Sequence, residues 1–296
     1  MIQECISFKD EFVQFLNENS FSFEERAGDC FYFSSQNLCI LLMPLEPASC
    51  SPDMPTEISW QCPAQSDIIY LYEDRWFFNK ELIKKRILSR LGVFTSVFAR
   101  KCKVITDSQV KADSRINRRI SDFLNKCHSY GNAKCSYRYA LEYDGEIVAA
   151  ATFSAPRPMP RQMATPLVAA TYVFDSYEWV RYASLPDVRV VGGMGRLFKA
   201  FLEDAEGNGN RERPLEVMTY SDTEWSSGDV YEKLGFKLVQ ERKPVEFYVH
   251  KETCERVAKN KVSPHFECGD TYVRISNKGS RKYLYNCSAI DWQSLV

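Results

Sequence analysis

The stretch Val191-Gly192-Gly193-Met194-Gly195-Arg196 opens a segment that carries Leu197, Phe198, Phe201 and Leu202 on one helical face. Its three glycines let backbone N–H groups approach a ligand with no Cβ in the way. The first-turn amides of the helix that follows have no partner inside it, and the helix dipole adds partial positive charge. Such a turn suits a pyrophosphate; it also suits a tight strand-to-helix connection. Arg189 and Arg196 bracket it.

Working outward, a long strand over Thr171–Ser184 precedes the turn, after a loop at 156–166 rich in Pro and Met. Before that, Tyr137–Tyr143, the turn Asp144-Gly145 and Glu146–Ser154 spell a hairpin. Ile116, Ile120, Phe123 and Leu124 mark a helix that ends near His128, and Val97–Val104 reads as a strand. After the turn come a buried strand at Leu215–Tyr220, a short helix at Val230–Leu234, and strands at Phe236–Gln240 and Glu246–His250. A short helix and a hairpin around Asn277-Lys278-Gly279-Ser280 end the pattern. The order predicts an α/β (α+β) mixed sheet covered by helices, with its crevice where the Gly-rich turn follows the long strand.

Residues 1–95 read as a separate small α/β unit. Ser7 is placed to cap a helix bearing Phe8, Phe12, Phe15 and Leu16. Strands at Phe31–Phe33 and Leu38–Leu45 follow, then a loop from Pro47 to Pro63 and a strand at Asp67–Tyr72. The acids Glu73 and Asp74 read as surface or helix-leading residues. They precede a helix starting at Asn79, with Ile83, Ile87 and Leu91 inward and Gly92 as its stop. The expected division is 1–95, 96–250 and a C-terminal extension 251–296.

The 296 residues carry a net charge of −1, which conceals unlike blocks. Residues 1–74 hold two basic and thirteen acidic side chains, a net of −11, whereas 75–138 hold sixteen basic and four acidic ones, a net of +12. Either the blocks face each other or the basic one meets a polyanion such as nucleic acid. The candidates for phosphate contact are Lys84, Lys85, Arg100, Lys101, Arg115, Arg118, Arg119 and His128; the histidine could equally be a helix-end dipole partner. No apolar run is long enough to span a membrane, and Met1-Ile2-Gln3-Glu4 lacks a signal-peptide pattern. Eleven cysteines without a C-x-x-C pair fit neither a disulfide scaffold nor a zinc ribbon. They read as reduced thiols of a cytoplasmic protein, and no metal is expected.

Tyr231-Glu232-Lys233-Leu234-Gly235-Phe236, one strand after the Gly-rich turn, resembles the GNAT acyltransferase superfamily. The resemblance implies that Val191, Gly192, Gly193, Met194, Gly195 and Arg196 hold the pyrophosphate of acetyl-CoA or another acyl-CoA. It also implies that Tyr231 protonates the departing thiolate; a phenol with a pKa of ~10 stays protonated at neutral pH. Departing from the usual motif, Val190 stands at its first position with Arg189 beside it. A broader set of motifs occurs in order: Ile69–Trp76, Ala99–Cys102, His128-x-x-Gly131, Glu178-x-x-Arg181 and Tyr220-x-Asp222-x-x-Trp225-Ser226-x-Gly228. It is similar to phage-borne proteins joining a very-short-patch-repair-like endonuclease to a GNAT-like domain, and more distantly to Mom-type enzymes that modify adenine in DNA.

That comparison makes 1–95 a degenerate nuclease-like unit. Asp29 is the only carboxylate near its strands placed for a metal, so no cleavage activity is expected. Glu178 and Arg181, three apart on one strand, point to opposite faces, one toward the crevice and the other anchoring a loop. Asp222 and Ser226 either orient a substrate amine or cap the next helix. The favoured expectation is a GNAT-like transferase acting on an amine, with nucleic acid a candidate target. The alternative is a non-catalytic nucleic-acid- or protein-binding remnant of mobile-element origin.

Overall fold

The computed structural model describes residues 7–27, 29–45, 62–164, 169–208, 213–263, 266 and 268–286. The loop expected from Pro47 to Pro63 falls almost wholly outside them. Two compact units share the chain: one takes Met1–Gly92, Ser221–Gly228 and Glu241–Arg281, the other Val93–Tyr220, Asp229–Gln240 and Lys282–Val296. The units are therefore interleaved, not the consecutive blocks 1–95, 96–250 and 251–296.

The first unit begins with α1 (Phe8–Glu18), capped by Ser7, whose Oγ accepts from the Asp10 amide at 3.1 Å. Then come β1 (Glu24–Arg26), β2 (Cys30–Phe33), β3 (Leu38–Met43) and β4 (Asp67–Tyr72), forming a sheet in that order. β1, β2 and β3 pair antiparallel, and β4 joins β3 in parallel. A short α2 (Glu73–Phe78) precedes α3 (Lys80–Arg90), which starts after Asn79 as read from the sequence, although the Asn79 side chain makes no capping bond. Strand alternation sends Phe31, Phe33, Leu38, Ile40, Leu42, Ile69 and Leu71 to one face, where Phe12, Phe15, Ile83 and Ile87 cover them. Trp76 sits among them, edge-on to Phe12 (5.7 Å) and Phe15 (5.6 Å).

The second unit runs through β5 (Thr95–Phe98), a 3₁₀ turn at Ala99–Lys101, β6 (Lys103–Ile105), α4 (Asp107–Ala112) and α5 (Ser114–Cys127). It continues with β7 (Tyr137–Tyr143), β8 (Glu146–Phe153), β9 (Arg157–Ala164), β10 (Ala169–Ser184), β11 (Val188–Val191) and α6 (Gly193–Asn208). β12 (Leu215–Asp222), α7 (Asp229–Lys233) and β13 (Lys237–Arg242) follow. The chain then gives the first unit a small sheet of β14 (Glu246–His250), β15 (Arg256–Ala258) and β16 (Tyr272–Ser276), before β17 (Ser280–Asn286).

The main sheet has the order β13-β17-β12-β10-β8-β7-β6, with β9 added along β10. Alternation again makes two faces. Tyr139, Leu141, Ala149, Ala151 and Phe153 meet α6 through Leu197, Phe198, Phe201 and Ala205, while Ala140, Ala150 and Ile147 meet α5 through Ile120, Phe123 and Leu124. Phe153 and Phe201 stack at 3.8 Å with planes 7° apart. The alanine run Ala149–Ala151 is wholly buried and adds little bulk on either face, leaving room for these rings.

Three sequence expectations change. The strand 97–104 is two strands, because β5 pairs with β11 and β6 with β7, in different sheets. The loop at 156–166 is largely β9, paired with β10 over Arg157–Ala164. The hairpin around Asn277–Ser280 does not form, since β16 pairs with β14 while β17 lies between β13 and β12.

Glu73 and Asp74 do open α2, one of the two alternatives read from the sequence, while the surface alternative fails for Asp74. It is no surface acid: its carboxylate receives two bonds from Arg256 at 2.7 and 2.8 Å, and Glu224 accepts a third at 3.3 Å. All three side chains are at most 2% exposed. The guanidinium also lies over the rings of Tyr72 (4.9 Å) and Phe247 (5.3 Å). A buried carboxylate is tolerated only with such pairing, which is why Asp74 and Arg256 occur together. Glu73, by contrast, receives the Leu45 amide at 2.6 Å.

Candidate functional site

β10 and β12 run parallel and pair only over Asp175–Glu178 against Leu215–Met218. Beyond Glu178, β10 stays with β8 through a register shift between Trp179 and Arg181. The strands thus part at their carboxyl ends, the usual position of a ligand crevice in such sheets. Thr219 Oγ1 donates to the Trp179 carbonyl at 3.3 Å, at the fork.

Tyr231, on α7, belongs to this fork. Its phenol hydrogen-bonds the Thr219 side chain, and its ring packs against Trp179 (6.0 Å), Phe236 (5.7 Å) and Tyr283 (5.4 Å). Burial pushes its pKa above the ordinary phenol value, so the hydroxyl is protonated at neutral pH. Tyr182, also pushed up by burial, feels the charge of Tyr231.

The Gly-rich turn reaches the same neighbourhood. Gly192 has φ +76°, and the first bond of α6 runs from the Arg196 amide to the Gly192 carbonyl at 3.0 Å, so earlier amides lack a helical partner. A Cβ on Gly193 would lie 3.0 Å from both the Tyr182 hydroxyl and Val190, and one on Gly195 would lie 3.3 Å from Leu234. These glycines permit close packing as well as ligand approach. Val191 is exposed and Met194 half-buried at the turn. Arg196 donates to the Ala99 carbonyl, and Arg189 covers the Phe94 ring at 3.9 Å.

Glu178 is half-buried, with Ser154 gripping its backbone: Ser154 Oγ takes its amide at 2.9 Å and its carbonyl takes the Ser154 amide at 2.9 Å. Arg181 anchors a loop, donating to the Gly131 carbonyl at 3.0 Å and the Val180 carbonyl at 2.9 Å. Burial holds the Arg181 guanidinium below its ordinary value and the Glu178 charge opposes that shift, and a register shift interrupts the strand between Trp179 and Arg181.

Asp222 and Ser226 lie in the first unit and hold a turn, not a helix. Asp222 Oδ1 accepts from the Glu224 amide at 3.0 Å, and Ser226 Oγ accepts from the Gly228 amide at 3.1 Å. His128 caps α5, its Nδ1 accepting from the Tyr130 amide at 3.1 Å. Asp29 is ion-paired with Lys9 at 2.9 Å.

The basic tract is divided between the units. Lys84 covers Phe15 (5.4 Å) and Trp76 (5.6 Å), and Lys85 is exposed on the same helix. In the second unit Arg100 covers Phe98 at 5.0 Å, Lys101 is exposed, and Arg119 pairs with Glu142 at 3.1 Å. Arg115 pairs with Asp113 at 2.9 Å and Arg118 with Asp122 at 3.8 Å.

One concavity escaped the sequence reading. A cleft of about 450 Å³ in the first unit is lined by Tyr70, Arg90, Trp225, Arg242, Lys278 and Arg281, together with Ser226. Lys278 sits 4.5 Å over the Tyr70 ring, and burial lowers its pKa. Arg90 pairs with Asp67 at 2.7 Å and Arg281 with Glu241 at 3.0 Å. These side chains come from five separate segments, so no local pattern announces them.

No family model matches the chain, and no curated protein does. Among solved structures it is similar to the ribosomal-protein-S18-alanine N-acetyltransferase from Escherichia coli, at 12% identity and a TM-score of 0.37, over 64% of this chain and 96% of that one. It is similar to a GNAT family acetyltransferase from Elizabethkingia anophelis with acetyl-CoA bound, at 12% identity and a TM-score of 0.33, over 63% and 98% of the two chains. A third is a Bacillus subtilis acetyltransferase in complex with CoA, at 14% identity and a TM-score of 0.31, over 64% and 100%. Among the described residues no helix is long and apolar enough to cross a membrane.

Proposed function

We propose that the second unit is a GNAT-like acyltransferase that moves an acyl group from acetyl-CoA or another acyl-CoA to an amine. The observation that carries this reading is the parting of β10 and β12 beyond Glu178, with the protonated phenol of Tyr231 packed beside Trp179 at the fork. In the reaction, the amine nitrogen attacks the thioester carbonyl carbon. The carbon–sulfur bond then breaks, sulfur keeps the electron pair, and Tyr231 Oη delivers the proton that makes the thiol. Nitrogen gives up its own proton to solvent, and the phenol is reprotonated from solvent. Glu178 draws the acceptor amine toward the fork. The first-turn amides at Gly193–Gly195, which have no partner within α6, face the donor's pyrophosphate, with Val191, Gly192 and Arg196 around them.

Calorimetry with acetyl-CoA tests binding, and release of free thiol tests turnover. Tyr231→Phe is expected to lower kcat about 10²–10⁴-fold with KM little changed, the range for losing one general acid. No heat at millimolar acetyl-CoA ends the reading.

Nucleic acid as the acceptor or partner is the second reading, and α5 favours it. Arg115 and Arg118 have side chains 88% and 86% exposed, and their pairs with Asp113 and Asp122 are solvent-screened surface contacts that hold them weakly. Phosphates compete well for such groups. Fluorescence anisotropy with a DNA duplex is expected to weaken steeply with salt, and replacing both arginines by alanine to lower the log–log slope by about 2. A salt-independent signal removes this reading.

A further inference from the structure

The second face of the first unit's sheet carries an unusual group. Cys30 on β2, Cys39 on β3 and Cys62, five residues ahead of β4, turn their sulfurs toward one another. The Cys30 and Cys62 sulfurs are 3.9 Å apart, and all three lie within 4.8 Å of one another. Their neighbours on this face are Leu41, Ile68, Tyr32 and Tyr70. Cys30 and Cys39 are wholly buried. Valine or alanine would fill such a layer equally well, so packing alone does not call for three convergent thiols.

We propose that Cys30, Cys39 and Cys62 form a three-thiolate site for a thiophilic d¹⁰ metal ion, zinc(II) or copper(I). A metal–sulfur bond of ~2.3 Å places thiolates ~3.8 Å apart around a tetrahedral ion and ~4.0 Å apart around a trigonal one. The Cys30–Cys62 separation already matches. Small side-chain rotations bring in the third sulfur. Thiolates select such ions over magnesium or calcium. Zinc completes four-coordination with a non-protein ligand, whereas copper(I) is satisfied by three sulfurs.

The electrostatics agree. Hydrogen bonds from Cys62 and Cys39, with the Arg26 charge, hold Cys30 down to about 7. Cys39 is pushed up by burial, and Cys62 chiefly by its hydrogen bond to Cys30. The ion binds thiolates, so loading releases protons from the cluster. The bound ion would fasten the approach to β4 onto β2 and β3.

The test uses the full-length chain, reduced and stripped with a chelator. Zinc(II) alone, and copper(I) supplied as its acetonitrile complex, are titrated in competition with a chromophoric chelator. The expected result is one equivalent bound, with protons released on loading, and a higher Tm. Cys62→Ser, chosen because Cys62 is only half-buried, is expected to weaken binding at least ~100-fold, since loss of an outer partner alone costs up to that much. Cys102→Ser, in the other unit, is expected to change nothing. Absence of stoichiometric binding by the wild-type chain overturns the proposal, as does binding that survives Cys62→Ser. So does mass spectrometry showing a Cys30–Cys62 disulfide that re-forms in preference to metal loading. The wild-type titration stands even if a variant fails to fold.

Discussion

Glu224 carries a pH signature. Burial, with the nearby Asp222 charge, outweighs Arg256 and lifts its carboxyl from 4.5 to about 7. Between those values the folded chain holds a proton that the unfolded chain has released. Stability therefore falls as pH rises from 4.5 to 7 and is level above, the whole window amounting to roughly 3 kcal/mol. Urea unfolding from pH 5 to 8 is expected to show this decline in the wild type and its loss in Glu224→Gln. Parallel profiles for the two proteins would refute the assignment. None of this was legible locally: Arg256 lies 182 residues from Asp74, and an acid next to Arg75 reads as a solvated one. The three clustered cysteines were equally hidden, because positions 30, 39 and 62 follow no ligand spacing. Tyr231 was legible as a candidate because it sits in a recognisable local motif, and the structure packs its ring against Trp179 at the fork of β10 and β12.

Elements were legible wherever their own sequence decided them. The β7–β8 hairpin follows from apolar strands around Asp144-Gly145, and α5 from its apolar face. β9 was missed because Pro158 and Pro160 look like loop residues, yet this strand lies off the main path and pairs only with β10, where proline is tolerated. The link from β16 to β17 was misread because a turn was taken to imply pairing. Asn277 instead accepts from the Val245 amide at 2.7 Å and the Gly279 amide at 3.1 Å, pinning the chain as it changes sheets. Gly279, at φ +82°, leaves no room: a Cβ would lie 2.3 Å from the Arg242 carbonyl oxygen. Gly279→Ala is expected to destabilise by more than the ~1–2 kcal/mol of left-handed strain alone. Chemical denaturation checks it, and a change below ~0.5 kcal/mol would show that the backbone yields.

At the scale of the whole molecule, the charge blocks mark a boundary near residue 75, whereas the first unit extends to Gly92 and regains chain at Ser221–Gly228 and Glu241–Arg281. Charge follows sequence, but the units follow long-range packing, so the interleaving left no trace in composition. It has a consequence for synthesis. The ribosome releases the first helices and strands early, yet Arg256, the counter-ion for Asp74, emerges only after most of the second unit. At typical elongation rates of ~5–20 residues per second, the stretch from Gly92 to Arg256 takes roughly 8–33 s to make. Throughout that interval Asp74 has no guanidinium to meet. The nascent segment must wait, solvated or chaperone-held, until the chain returns to the unit it began.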